Sequence, residues 1–234
     1  MSRDAILGAI RRGLKRGELP ADQQAMLRAR LAKPPRHLIP ARSLLPRPDQ
    51  ITLLVRNIEK EFGTVARVPD AAAVPDAVAD YLAAQNLPGD FAMAPHPELQ
   101  AIPWSRRPML QVREGRAHET DLVSVQHAFA AIAETGTLML PSSKQRPTTI
   151  NLLPDTAIAI LRASRVVGPY EEAWDLLRAD CPDGGFMPRN VMLVTGPSRS
   201  ADIEQTLELG AHGPRRLHVV LIEDDPEARP EAAR

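Results

Sequence analysis

Cysteine is nearly absent from this chain of 234 residues, with Cys181 its only example. One thiol excludes an internal disulfide, a multi-cysteine zinc site and an iron–sulfur cluster ligated by this chain alone. Cys181 precedes Pro182 with no His beside it, so it reads as a loop residue rather than a catalytic thiol. Aromatic residues make up 3%, too few to favour base stacking. The formal net charge is zero, without the basic excess of a nucleic-acid-binding domain, so no nucleic-acid partner is expected. No run approaches the ~20 apolar residues of a membrane span. The opening stretch MSRDAILGAIRRGLKRG is charged throughout and lacks an apolar core or a small-residue cleavage site, so it is not read as a secretory signal. The expected location is the cytoplasm.

Proline, by contrast, is plentiful: 23 residues, about twice the usual share. Hydrophobic content of 44% with 25% charged residues is ordinary for a globular chain of this length. Residues 2–16 place Ile6, Leu7, Ile10 and Leu14 at helical spacing behind Ser2 as N-cap, and a second short helix is expected over 21–31. Residues 33–48, dense in Pro and basic side chains, read as an extended strap, with His37 at its surface. Residues 1–48 are therefore expected to form an N-terminal helical arm that docks on its own domain or on a partner.

A main domain is expected over 49–222. Ile51, Leu54, Val55, Ile58 and Phe62 form a helix stripe that Gly63 ends, and strands are expected at 64–68 and 91–94 around a helix opened by Pro75. Short strand candidates then crowd together at 109–112, 122–125, 130–133 and 137–140. This predicts either a mixed sheet or a small inserted antiparallel layer. The α/β rhythm returns with a strand at 157–161, a helix over 169–180, a strand at 191–194, a helix from about Ser200 and a strand at 217–222. Runs such as AIAIL, VMLV and HVVLI are apolar on both faces, as buried parallel strands are. The fold class is α/β: a mixed, largely parallel sheet flanked by helices. The charged tail, 223–234, is expected to be disordered.

Two stretches can carry chemistry. In the first, Thr195, Gly196, Pro197, Ser198, Arg199 and Ser200 follow an apolar run and precede an amphipathic pattern. Read as a strand-to-helix corner, Gly196, Ser198, Arg199 and Ser200 cradle a phosphate or carboxylate on unpaired helix N–H groups. Read without a ligand, Ser198 or Ser200 caps the helix and Asp202 adds first-turn charge. The loop matches neither the Walker pattern nor GxGxxG. An open α/β sheet places such a loop beyond its strands' carboxyl ends. In the second stretch, Glu134, Thr135, Gly136 and Thr137 make either a hairpin turn with local hydroxyl bonds, or a cleft with Glu134 as general base or nucleophile. The following Ser142, Ser143, Lys144, Gln145 and Arg146 either close over an anion or form a solvated loop. His127 reads as a core or cleft histidine, since no partner sits at ligand spacing; no metal site is expected.

AIAETGTLML at 131–140, INLLPDTAIAILRASRVV at 150–167 and VTGPSRSADIEQTLELGAHGPRRLHVVLI at 194–222, in that order, resemble the lactate utilisation protein C family, whose shared unit is the LUD domain. The likeness runs from about residue 50 to 222. It implies a fold similar to the ribose-phosphate isomerase, glucosamine-phosphate deaminase and CoA-transferase group. It also implies a role beside iron–sulfur partner proteins that oxidise L-lactate to pyruvate, with no cofactor in this chain and the clusters in the partners. The family's motifs fall on Glu134, Thr135, Gly136 and Thr137, and on Thr195, Gly196, Pro197, Ser198, Ala201, Asp202, Ile203 and Glu204. Ala157 departs from the family, whose members often carry His there. Three functions stay open from sequence: an accessory subunit of such a system with a small-anion pocket, a free-standing enzyme acting on a phosphosugar or acyl-CoA through Glu134, and an interaction module without a pocket.

Overall fold

In the computed structural model, residues 2–15, 17–36, 38–181, 187–203 and 206–228 are described, with the backbone alone at 200–203, 206–208 and 228. They divide into two compact units, 1–39 and 40–234. In the first, α1 (Arg3–Gly13) starts at Ser2, whose side chain accepts a hydrogen bond from the Ala5 amide. Asp4 and Arg11 and Arg12 complement the two ends of its dipole. α2 (Ala21–Ala32) follows Pro20. His37, expected at the surface of the strap, lies outside the described residues.

The second unit opens with α3 (Arg47–Lys60), then β1 (Thr64–Val68), α4 (Val74–Ala84), β2 (Asp90–Met93), α5 (Pro97–Gln100), β3 (Gln111–Glu114) and β4 (Val123–His127). β5 (Ala130–Ile132), β6 (Thr137–Pro141), α6 (Thr148–Leu152), β7 (Thr156–Arg162), β8 (Val166–Val167) and α7 (Tyr170–Ala179) follow. β9 (Val191–Val194), β10 (Arg199–Ile203), β11 (Thr206–Leu209) and β12 (Arg216–Ile222) complete the strands. Six of these form one sheet, in the order β1-β12-β7-β4-β2-β3, and every pairing in it is parallel. Of the four crowded candidates, β3 and β4 join this parallel sheet, whereas β5 and β6 make an inserted layer with β8 and β9, ordered β8-β5-β6-β9 and antiparallel except for β5 against β8.

Alternation along β7 sorts the core. Ile158 and Ile160 face α4, whose Val74, Val78 and Leu82 are buried with them. Ala157, Ala159 and Leu161 face the other way, into a cluster with Ile51, Leu54 and Ile58 of α3 and Leu138 and Leu140 of the small sheet. The small alanines leave room for a second sheet on that face. The far side of the small sheet buries Ile132 and Met139 against Ala173 and Leu177 of α7.

Four expectations need correction. The chain from Arg199 forms a hairpin, β10 against β11 with a register shift, and not a helix. Its apolar spacing fits a helical face, but Thr206-Leu207-Glu208-Leu209 also alternates with period two, and pairing satisfies the backbone. Ser198 and Ser200 are therefore not helix caps, and Asp202 is not in a first helical turn. β9 is not a buried parallel strand; it pairs antiparallel with β6 and leaves Leu193 exposed. Four apolar residues are too few to separate those two cases by pattern. Phe62 is not part of the buried stripe: α3 ends before it, and it sits exposed at φ 66°. Of the tail, Asp224 accepts from the Ser164 amide at 2.9 Å and Asp225 pairs with Arg47 at 2.8 Å, so its first residues are held in place; residues 229–234 lie outside the described ones.

Candidate functional site

The two glycines of the sequence motifs share a helix. Gly136 (φ 70°) turns between β5 and β6 with its Cα so close to α3 that an added Cβ would meet Asn57 C and Ile58 N at 2.8 Å. Gly196 (φ 102°) does the same against Glu61 O at 2.6 Å. Positive φ and close approach together demand glycine. Asn57 donates through Nδ2 to Ala133 O at 2.9 Å and Glu134 O at 3.0 Å, fastening the first turn. Arg199 fastens the second, pairing with Glu61 at 2.8 Å and lying over the exposed Phe62 ring at 4.4 Å.

Hydroxyls join the motifs. Thr137 Oγ1, fully buried, lies 2.6 Å from both Thr135 Oγ1 and Thr195 Oγ1 and 3.0 Å from the Tyr170 hydroxyl. Beyond Thr195, Ser198 holds the segment that returns to β12. Its carbonyl accepts from Gly210 N at 3.0 Å, its amide donates to Pro214 O at 2.8 Å, and its Oγ accepts from His212 N at 3.1 Å.

This corner opens on a cleft of about 370 Å³, a size ordinary for small-molecule sites. Thr195, Gly196, Ser198 and Arg199 line one side, with Gln126, Asn151 and Ala157 among the residues across it. Ala157 thus sits at the cleft, where a larger side chain would take up space. Because β9 stands outside the six-stranded sheet, the corner does not lie beyond that sheet's carboxyl ends. It faces the paired amino-terminal residues Ala157 and Leu217 instead. Gln126 is 3% exposed, and its Oε1 has no hydrogen-bond partner among the described residues.

Glu134 is placed differently. Its carboxylate, 7% exposed, is bonded by Arg42 at 2.7 Å, and it is not among the residues that line the cleft. Thr135, Gly136 and Thr137 reach the cleft only through the hydroxyl contact to Thr195. The side chains of Ser200 and Asp202, and Glu204 as a whole, lie outside the described residues.

A second cluster, not anticipated from sequence, occupies the carboxyl edge of the parallel sheet. His127 ends β4, Arg162 ends β7, and His96 follows β2. The His96 and His127 rings stack at 3.8 Å and 15°. Arg146 Nε donates to His127 Nδ1 at 3.2 Å, and its Nη2 lies 3.0 Å from His96 Nε2. Glu98 pairs with Arg162 and lies 3.4 Å from His127 Nε2. Burial, then His127 and Arg146, push the His96 pKa down to about 4, and burial lowers that of His127 as well. The hydrogen bond from His127 and the Arg162 guanidinium hold Glu98 well below the usual carboxylate range. His96, Glu98 and His127 each bring a ligand atom within 4.8 Å of the others. Nearly parallel rings, however, keep their in-plane lone pairs in separate planes, and Arg146 faces both, so the set is not aimed at one ion. Adjacency of parallel β2 and β4 creates this cluster; His96 and His127 are too far apart in sequence to show it.

Comparison with known proteins gives the family. Residues 51–222 match the LUD domain. Lactate utilization protein C of Bacillus licheniformis is 38% identical over 102 residues, which is 44% of this chain and 42% of that protein. Its Bacillus subtilis counterpart shows the same identity and coverage. The chain thus spans under half the length of these curated relatives. The crystal structure of a DUF162 family protein from Deinococcus radiodurans shares the fold at TM-score 0.57 and 22% identity, covering 76% of this chain and 99% of that one. With the match running through both motif corners and nearly all of both sheets, the chain belongs to the LUD domain family.

Proposed function

We propose that this chain is a subunit or accessory protein of an L-lactate oxidation system, and that its cleft binds a small hydroxy or oxo acid. The relatives' name supports the lactate assignment. The observation that carries the pocket is Gln126, which lines the same cleft as Arg199 and whose amide oxygen is buried without a partner among the described residues. A 2-hydroxy acid has a hydroxyl to donate to that oxygen and a carboxylate to accept from the guanidinium donors that Glu61 leaves over. Oxidation of lactate to pyruvate releases two electrons and two protons. A chain with one cysteine cannot ligate a cysteine-bound cluster alone, so iron–sulfur partner proteins are assigned the electrons.

Calorimetric titration with L-lactate and with pyruvate tests the pocket. Saturable binding of one acid, weakened tenfold or more in Gln126→Leu, is expected. Equal binding by both proteins, or binding of neither acid, contradicts it. Anaerobic affinity capture from the native host tests the partners: co-recovery of iron–sulfur proteins is expected, and recovery of this chain by itself counts against them.

A further inference from the structure

Among the described residues, the carboxyl edge of the parallel sheet carries more positive charge than the carboxylates in contact with it match. Glu98 is taken up by Arg162 and His127, and Asp224 by Arg162 and Ser164. Arg146 and Arg165 lie over the ring of Phe129, at 5.5 and 4.7 Å, and among the described residues neither has a carboxylate within 4.0 Å. Burial disfavours the charge on Arg146, which Asp180 and Glu98 offset only at longer range.

Hydrogen bonding at His96 shows a mismatch of the same sign. Its Nδ1 faces the Glu98 amide at 3.3 Å, and its Nε2 faces Arg146 Nη2 at 3.0 Å. Both neighbours only donate, whereas a neutral imidazole has one lone pair to offer. One contact therefore sets hydrogen against hydrogen, at a side chain 7% exposed. His127 has no such conflict, because its Nδ1 accepts from Arg146 and its Nε2 points at Glu98.

We propose that His96, Arg146 and Arg165 form an oxyanion-binding site, in which a carboxylate or phosphate oxygen seated between Arg146 and His96 accepts from both. His96 then keeps its proton on Nε2 and accepts from the Glu98 amide on Nδ1, and the mismatch disappears. The second guanidinium, Arg165, supplies the remaining charge. Arg146 is presented by a turn that Ser143 closes, with the Arg146 amide 3.1 Å from Ser143 Oγ and the Ser143 amide 3.1 Å from Arg146 O. A side-chain swing on that fixed turn admits the ligand. The position agrees with the general preference of open α/β sheets for ligands at strand carboxyl ends. It is also separate from the cleft: Gln126 of the cleft and His127 of this cluster are neighbours on β4, so their side chains leave opposite faces of the sheet.

The test titrates the 234-residue chain carrying Gln126→Leu, which weakens binding at the cleft, with inorganic phosphate and with sodium L-lactate at constant ionic strength. Arg146→Gln and Arg165→Gln are added one at a time, and thermal melts verify folding. Binding of at least one anion is expected, weakened about tenfold or more by loss of a charge-assisted bond in Arg146→Gln. Phosphate alone, or lactate alone, assigns the ligand class. Binding that neither arginine substitution changes, or no binding of either anion, overturns the proposal. Failure here leaves the lactate reading standing, since that reading rests on the unsubstituted cleft.

Discussion

Gly136 and Gly196 press against the C-terminal end of α3, the first at Asn57 and Ile58 and the second at Glu61, which caps the helix. The sequence motifs around them are thus docking joints for α3 before they are anything else. The cleft lies on the other side of the second joint, lined by Thr195, Ser198 and Arg199.

Alanine at either glycine is expected to be costly. A left-handed residue with a Cβ loses about 1–2 kcal/mol, and forcing backbone apart adds about 1–3 kcal/mol. Gly136→Ala and Gly196→Ala should each lower stability by about 2–4 kcal/mol in urea denaturation. Gly13→Ala, where an added Cβ meets nothing within 4 Å, should change it little.

Thr137→Val keeps shape and removes the hydroxyl shared by Thr135, Thr195 and Tyr170. Thr135 and Tyr170 are half-buried and still bond each other, and Thr195 is exposed, so the loss should cost about 0.5–1.5 kcal/mol. A urea midpoint equal to that of the unsubstituted protein would show that the network holds nothing together.

Gln126→Leu should leave the ligand-free protein as stable or more stable, because an unpaired buried amide oxygen is replaced by an apolar group of similar size. A thermal midpoint lowered by several degrees would mean that the amide is already satisfied in the free protein.

Acid should destabilise the fold in a defined window. Burial pushes the His218 pKa down to about 4, with its ring stacked on Tyr81 at 3.9 Å and its Nδ1 bonded to Thr64 Oγ1 at 2.8 Å. The unfolded chain takes up a proton near pH 6.5 while the folded one does not. Stability is therefore full above about pH 6.5 and is lost as pH falls toward 4, by about 1.4 kcal/mol per unit for this histidine. His218→Phe keeps the stack and should flatten that slope between pH 6.5 and 4.5; an unchanged slope would assign it elsewhere.

Much of this architecture is legible in the residues, and the exceptions have physical causes. Strand runs apolar on both faces identify β7 and β12, and Ser2 and Pro75 mark helix starts where the structure has them. The hairpin after Arg199 is not legible, because its short apolar spacing fits both periods and only pairing decides between them. VMLV of β9 could not reveal which sheet it would join. At the candidate sites, Gly196, Ser198 and Arg199 stand out by type and position. Gln126 does not, since an orphaned amide is a property of packing. The histidine cluster depends on parallel strands whose neighbours are distant in sequence, so His96 has no visible link to His127 until the sheet is assembled.

The central claim, that this chain serves L-lactate oxidation, is tested most directly in its native host. Pyruvate formation from L-lactate is measured with the coding sequence deleted and then restored. Deletion should abolish most lactate-dependent pyruvate formation, and restoration of the unsubstituted chain, but not of Gln126→Leu, should recover it. Lactate oxidation at an unchanged rate in the deleted strain would contradict the account.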